Sequence, residues 1–320
     1  MKLFKQLGAV AAILLAAGGA LAQGAYPDKP VRVVITTVPG PLDAFARAVL
    51  TQVGKHLNQT FIVDNRAGAG GNVGAEIVAK APADGYTLLF ALDTTFTVNP
   101  SLYAKMPFDV AKDFAVISVP VTYAQVLVVN PAVKATTLKE FVDYAKPRKI
   151  TYASGGNGSP SHLTMAAFLN TAGLEMVHIP YKGTGQSVID VMGGQVDSLF
   201  AVGSGVLPQA KAGKLRAIAS SGSQRSPGTP ELPTVAESGY PSFSANFAYV
   251  LAAPAATPPE IVQLLAREVA AAMDTQEVRD LNKMADYAPT KLNAQQSATW
   301  LADTRKHWND VITKAKITLD

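Results

Sequence analysis

Several side chains that can donate a hydrogen bond are gathered on one glycine loop. Ser154, Asn157, Ser159, Ser161 and His162 fall within the run Ser-Gly-Gly-Asn-Gly-Ser-Pro-Ser-His of residues 154–162. Gly155, Gly156 and Gly158 leave the backbone bare, so a ligand can approach it closely. The pattern predicts a short strand over 150–154 and an apolar helix opening near Pro160. The first N–H groups of a helix have no partner within it and lie at the positive end of its dipole. Hydroxyls, an amide, an imidazole and free N–H groups in one place suit an anion. They equally suit a tight turn with an N-cap, and the loop alone leaves both readings open.

Two earlier stretches repeat the plan of strand, glycine or proline loop, helix. Residues 31–50 place Thr37, Pro39, Gly40, Leu42 and Asp43 between an apolar strand and a helix. Residues 60–79 place Gly68, Gly70, Gly71, Asn72 and Gly74 in the same position. In open α/β sheets ligands bind beyond the carboxyl ends of strands, where such loops lie. The second loop follows a strand and precedes a helix, and Asp93 ends the next strand about 20 residues further on, as a dinucleotide site requires. Its spacing, however, is G-x-G-x-x-x-G, and it is not the first such loop in the chain. A carboxylate cradle is the stronger reading of the same residues.

Catalytic patterns are missing. The histidines at 56, 162, 178 and 307 do not pair at metal-ligand spacing, and the chain has no cysteine. No serine sits in a G-x-S-x-G elbow, and Ser-x-x-Lys and Walker A patterns are absent. Asp43 and Asp197 could act as general bases, but Asp43 also suits the start of a helix. Lys182, between Tyr181 and Gly183, could pair with an acid or simply be solvated. No cofactor and no metal are expected.

The elements that carry these loops alternate strand and helix along the chain, which predicts an α/β fold with mostly parallel sheets. Helices are expected after 43, from 72 to 81, from 137 under a capping box (Thr137 to Glu140), from 186 to 192, from 258 after paired prolines, near 275–284 and over 293–315. Apolar strands are expected over 86–92, 126–129, 196–201 and 247–252. Residues 222–245 read as a surface connection. Two sheets facing each other across a cleft would bring all the loops around one pocket.

The 320 residues suit two domains, and only 16% are charged against 48% apolar, so large cores can form. The formal charge of +4 includes Lys2 and Lys5, and no basic run offers a nucleic-acid footprint. Those two lysines, the apolar run 7–17 and Ala20-Leu21-Ala22 read as a signal peptide over residues 1–22, with Gln23 as the mature start. A membrane anchor is the alternative, but the run is short and ends in Gly18-Gly19.

Several segments then resemble one family together. These are Tyr26-Pro-Asp-Lys-Pro-Val-Arg, Asp64-Asn-Arg-Ala-Gly-Ala-Gly-Gly-Asn-Val-Gly-Ala-Glu, Asp84-Gly-Tyr-Thr-Leu-Leu and Asn99-Pro-Ser-Leu-Tyr. They continue with Tyr152-Ala-Ser-Gly-Gly-Asn-Gly-Ser-Pro-Ser-His-Leu, His178-Ile-Pro-Tyr-Lys-Gly, Gly193-Gly-Gln-Val-Asp and Leu232-Pro-Thr-Val-Ala-Glu-Ser-Gly. The chain is similar, over nearly its whole expected mature length, to the Bug-type substrate-binding proteins of tripartite tricarboxylate transporters. The resemblance implies a monomeric periplasmic Venus flytrap of type II-like fold, with residues 26–123 and 246–320 as one domain and 124–245 as the other. It implies a small carboxylate held in the interdomain cleft and passed to a two-component membrane permease, with no nucleic-acid partner. Carried over by position, the implied ligand loops are 37–43 and 70–72 in the first domain. In the second they are 154–159 with His162, 181–183 (Tyr181, Lys182, Gly183) and 201–204 (Ala201 and Gly203 among them).

The chain departs from that family at residues 38–43, where Pro41 stands at a usual glycine and Leu42 adds apolar surface. Asp93-Thr-Thr-Phe96 is expected to bring an aromatic near the cleft, and Phe247 and Tyr249 could add more. A cargo with an apolar or aromatic body between acid groups, an aromatic dicarboxylate for example, is expected over a hydroxylated acid such as citrate. The competing class is an exported α/β enzyme acting on a small organic acid, or using a dinucleotide at Gly68–Gly74.

Overall fold

A computed structural model describes residues 26–315 and 317–319. The expected signal peptide lies outside the described residues. In chain order the first half comprises β1 (Val31–Ile35), α1 (Pro41–Leu57), β2 (Phe61–Asn65), a 3-10 turn (Ala69–Gly71), α2 (Asn72–Ala79), β3 (Thr87–Leu92), α3 (Thr94–Thr97), α4 (Asn99–Leu102), β4 (Phe114–Ser118) and β5 (Val121–Val129). The chain continues through α5 (Leu138–Ala145), β6 (Thr151–Ser154), α6 (Pro160–Ala172), β7 (Val177–Pro180), α7 (Thr184–Met192), β8 (Ser198–Val202), α8 (Gly203–Lys211) and β9 (Arg216–Ser220). It closes with β10 (Asn246–Pro254), α9 (Pro259–Met273), α10 (Gln276–Ala285), β11 (Ala288–Pro289) and α11 (Ala294–Ala315).

The sequence pattern recovers most of these elements, but it leaves the short helices α3 and α4 and the strand β11 unassigned and departs again at β5. It starts β5 at residue 126, whereas the strand begins at Val121. Residues 121–125 alternate buried and half-buried while the rest of the strand is wholly buried. Thr122 and Gln125 interrupt the apolar run that marks a strand covered on both faces.

Two parallel groups form the ends of the assembly. β1 pairs in parallel with β2 and β3, and β6 pairs in parallel with β7 and β8. The middle is antiparallel, contrary to the mostly parallel expectation. β10 runs against β3 and β4, and β5 runs against β8 and β9. Asn246–Ala248 of β10 pairs antiparallel with Thr122–Ala124 of β5. Strand pairing is therefore continuous in the order β2-β1-β3-β10-β5-β8-β6-β7. The antiparallel centre has a topological cause: β5 carries the chain out of the first group and β10 carries it back.

Aromatic side chains fill the crossing. Phe45 of α1 lies 5.2 Å from Tyr249 and 5.5 Å from Tyr287, ring centre to ring centre, and Tyr123 lies 5.0 Å from Tyr249. Such tilted and edge-on pairs add to the gain from buried area. Phe247 stacks on Trp308 of α11 at 5.0 Å. That helix packs first on α3 and β4 and then on α6, so it also spans both groups.

Phe45→Ala removes a fully buried ring from the crossing. It should cost about 3–5 kcal/mol, read as a lower urea midpoint with little change in the slope of the transition.

Candidate ligand-binding site

Helix starts from both strand groups meet at one cavity of about 340 Å³. α1 contributes Gly40, Pro41 and Leu42, and α6 contributes Ser159, Pro160 and Ser161. α7 contributes Gly183, Thr184 and Gly185, and α8 contributes Gly205 beside Val202. Apolar groups make up most of the remaining wall: Val38, Leu92, Val188, Ile189 and Met192. Tyr123 and Gln125 of β5 and Tyr249 of β10 form the floor, where the two strands cross. The loops touch at the lip, where a Cβ on Gly183 would stand 3.1 Å from Val38 Cγ2. Gly183 has φ +137°, which only glycine adopts readily, so this approach depends on the residue type.

Among the described residues no charged side chain lines the cavity. Its polarity comes from backbone dipoles together with the neutral side chains of Thr37, Gln125, Ser159, Ser161, Thr184 and Gln209. The first turns of α6, α7 and α8 carry no acidic residue, so no carboxylate within them offsets their positive ends, which favour an anion. α1 and α6 both open with a proline, which lacks an N–H, and Ser159 caps α6 by accepting from His162 N–H, whereas α1 has Asp43 in its first turn. Burial raises the Asp43 pKa, but the Arg47 guanidinium, bonded at 2.8 and 3.0 Å, outweighs it and holds the carboxyl below its usual range. A larger depression of about 910 Å³ lies around α5, β9 and residues 229–238. It receives none of the glycine loops and is not the site.

Among the expected residues, Thr37, Pro39, Gly40, Leu42, Gly155 and Ser159 line the cavity. Others are placed elsewhere. Gly70, Gly71 and Asn72 pack within the first group: Asn99 Nδ2 donates to Gly70 O at 3.0 Å and to Asn72 Oδ1 at 2.7 Å. Asp93 is fully buried, and Phe96 packs edge-on against Phe114 at 5.3 Å instead of approaching the cleft. Phe96 follows Asp93 into a short helix that turns its side chain into the core. Asp43 is occupied by Arg47. Ala201 is buried in the second core, and Gly203 is closed in by Leu207 and Asp286. Tyr181 donates its hydroxyl to Asp190 at 2.6 Å, and Lys182 points to solvent. Ser154, Asn157 and His162 stand behind the loop.

Leu92, Tyr123, Gln125, Val188, Ile189, Met192 and Gln209 line the cavity without having been singled out. Two signals were present in the sequence. Tyr123 and Gln125 share one face of a strand, and Val188 and Met192 share one face of a helix.

The comparisons with known proteins agree with this geometry. The model of the tripartite tricarboxylate transporter family receptor matches residues 45–317. This chain belongs to that family. It is 34% identical to protein BugT of Bordetella pertussis over 98% of both chains. Its structure is similar to that of the periplasmic binding protein BugD, with a TM-score of 0.86, 28% identity and coverage of 92% of this chain and 99% of that one. It is similar also to Rpa4515 of R. palustris, solved with adipate, with a TM-score of 0.88, 29% identity and coverage of 92% and 99%. The fold is therefore the two-domain periplasmic-binding-protein fold, and the chain is a transporter receptor and not an enzyme.

In this receptor the glycine loop at 154–159 is held from behind. Tyr152, His178 and His162 stack in a column, with ring centres 4.7 and 4.4 Å apart. His178 Nε2 meets Ser154 Oγ at 2.6 Å, and Ser154 Oγ accepts from Gly156 N–H at 3.1 Å. Gly158 N–H donates to His162 Nδ1 at 3.2 Å. Ser161 Oγ accepts from Gly155 N–H at 2.8 Å, and Asn157 Nδ2 donates to Leu319 O at 2.9 Å. Neutral His162 can accept at Nδ1 and the imidazolium cannot.

Burial, and then the neighbouring His178, lower the His162 pKa from 6.5 to about 4. Burial lowers that of His178 as well. Between about 6.5 and 4 the unfolded chain binds a proton at His162 that the folded chain refuses. The contribution is therefore complete above 6.5 and is lost as pH falls toward 4. The melting temperature should drop across this window, and His162→Gln should flatten that part of the curve, as followed by circular dichroism.

Proposed function

We propose that the protein captures a small carboxylate with an apolar body in the interdomain cleft of the periplasm and delivers it to a two-component membrane permease. The observation that carries this reading is the convergence of helix starts without acidic residues on a cavity that, among the described residues, has no charged side chain and a mostly apolar wall. Helix starts hold the anionic end, and Leu42, Val188, Ile189 and Met192 accept the body by displacing water from apolar surface. The adipate found in Rpa4515 supports a carboxylate with a methylene body.

Residues 26–123 with 246–320, and residues 124–245, act as the two lobes. Cargo contacts both only when they are closed, so binding shifts the open–closed balance. Several charge-assisted hydrogen bonds, each worth roughly 1.5–3 kcal/mol, support a Kd near ~1 μM after the cost of closure. Delivery needs no second binding partner in the cleft, and the receptor acts as a monomer.

A thermal-shift screen over aliphatic and aromatic mono-, di- and tricarboxylates tests the reading. Acids with methylene or aromatic bodies should raise the melting temperature, and citrate should not. An absence of any shift, with no cargo retained in native mass spectrometry, would remove it.

Gly185→Asp supplies a sharper check. A Cβ at Gly185 meets nothing within 4 Å, and the residue lies in the first turn of α7. An aspartate there satisfies the helix start and competes with the cargo anion. Affinity should fall at least about tenfold, roughly the 1.4 kcal/mol of one such contact, while the melting temperature without ligand stays equal or rises.

A further inference from the structure

The cavity floor contains a polar group that the carboxylate reading does not use. Gln125 is 3% exposed, lines the cavity, and its Oε1 has no hydrogen-bond partner. Its backbone is fixed on both sides, since Gln125 N–H donates to Ser221 Oγ at 2.8 Å and Gln125 O accepts from Ser221 N–H at 2.8 Å. The side chain is therefore delivered to the floor by a strand that cannot easily shift. The nearby Tyr249 hydroxyl is already engaged with Tyr287 at 2.9 Å. A buried amide oxygen without a partner is costly, and native structures rarely leave one without a role.

We propose that Gln125 is a specificity-determining residue, whose amide binds a neutral hydrogen-bonding group at the end of the cargo opposite its carboxylate. This rests on the receptor reading above and narrows the cargo to a monocarboxylate whose apolar body ends in a hydroxyl or carbonyl. The charge pattern gives the direction. The starts of α6 and α7 carry no acidic residue and take the anion, whereas Gln125 stands across the strand pairing from Val202, ahead of α8. On the other side α1 opens with Pro41 and already holds the Asp43 carboxylate. Among the described residues no cation lines the floor, and the fully buried Asp93 acts electrostatically on Tyr123 of that floor. Burial pushes Asp93 up to about 7, a sign that this region disfavours negative charge. A second carboxylate would be desolvated there without compensation, whereas an amide satisfies either a hydroxyl or a carbonyl.

Two ligand series matched in length test the assignment by calorimetry: hexanoate, 6-hydroxyhexanoate and adipate, and 4-methylbenzoate, 4-hydroxybenzoate and terephthalate. The hydroxyl member of at least one series should bind about tenfold tighter than its methyl and diacid partners. Gln125→Leu and Gln125→Met should reduce that preference to about threefold or less without weakening the methyl member. Equal or tighter binding of the methyl or diacid member in both series overturns the proposal and leaves the receptor reading standing. Equal weakening of all members by both variants overturns it as well. Binding of none of the six acids, with no cargo retained in native mass spectrometry, overturns the proposal and the receptor reading together. If both variants fail to fold, the wild-type ranking still decides.

Discussion

The antiparallel pairing of Thr122–Ala124 with Asn246–Ala248 is the contact on which the rest of the structure depends. Each of these strands pairs with one group over part of its length and reaches the other strand over the rest. The cavity lies over their crossing because the strand ends, and the loops that leave them, face one another there. A two-strand crossing resists sliding, since register shifts would turn Tyr123 and Gln125 away from the floor. It permits bending, which is the motion a cleft-closing receptor requires. The ring cluster of Phe45, Tyr123, Tyr249 and Tyr287 packs the crossing, and the Tyr249 and Tyr287 hydroxyls satisfy each other at 2.9 Å.

The chemistry of the cavity follows from leaving charged side chains out of it. A lysine or arginine on the wall would hold a carboxylate strongly in a desolvated site and would also have to be desolvated itself when the cleft is empty. Helix starts avoid that cost, because their N–H groups belong to the backbone and are aimed by the fold. Apolar walls then make the shape and length of the cargo body matter.

Several conspicuous polar residues support the binding surface from behind. His162, His178 and Ser154 brace the loop whose Gly155 lines the cavity. Tyr181 ties the strand end before α7 to Asp190 within that helix. Asn157 ties the same loop to the carboxyl end of the chain at Leu319. Holding an anion by backbone N–H groups demands a fixed backbone, and these bonds supply the rigidity. Their residue types suggest ligand contacts when read along the chain, but their partners show the other role.

Local pattern was enough for much of this protein. The alternation of apolar strands with helices, the capping box at Thr137 and the glycine loops at 37–43 and 154–159 identify an α/β chain and two of the loops that line its cavity. These signals are local because a helix start, a turn and a covered strand each need only neighbouring residues. Which loops meet was not legible. Gly70–Asn72 has the same composition as the cavity loops, yet it packs against Asn99 because of where α4 lies. Phe96 and Tyr249 are both aromatics after or within apolar strands, and only Tyr249 reaches the cavity. The floor at Tyr123 and Gln125 exists only because two strands whose paired residues lie 122–126 positions apart in the chain meet antiparallel, a pairing that no local residue preference specifies. Helices, loops and their polarity were therefore determined by the sequence near each of them, and the membership of the cavity was decided by the crossing of β5 and β10.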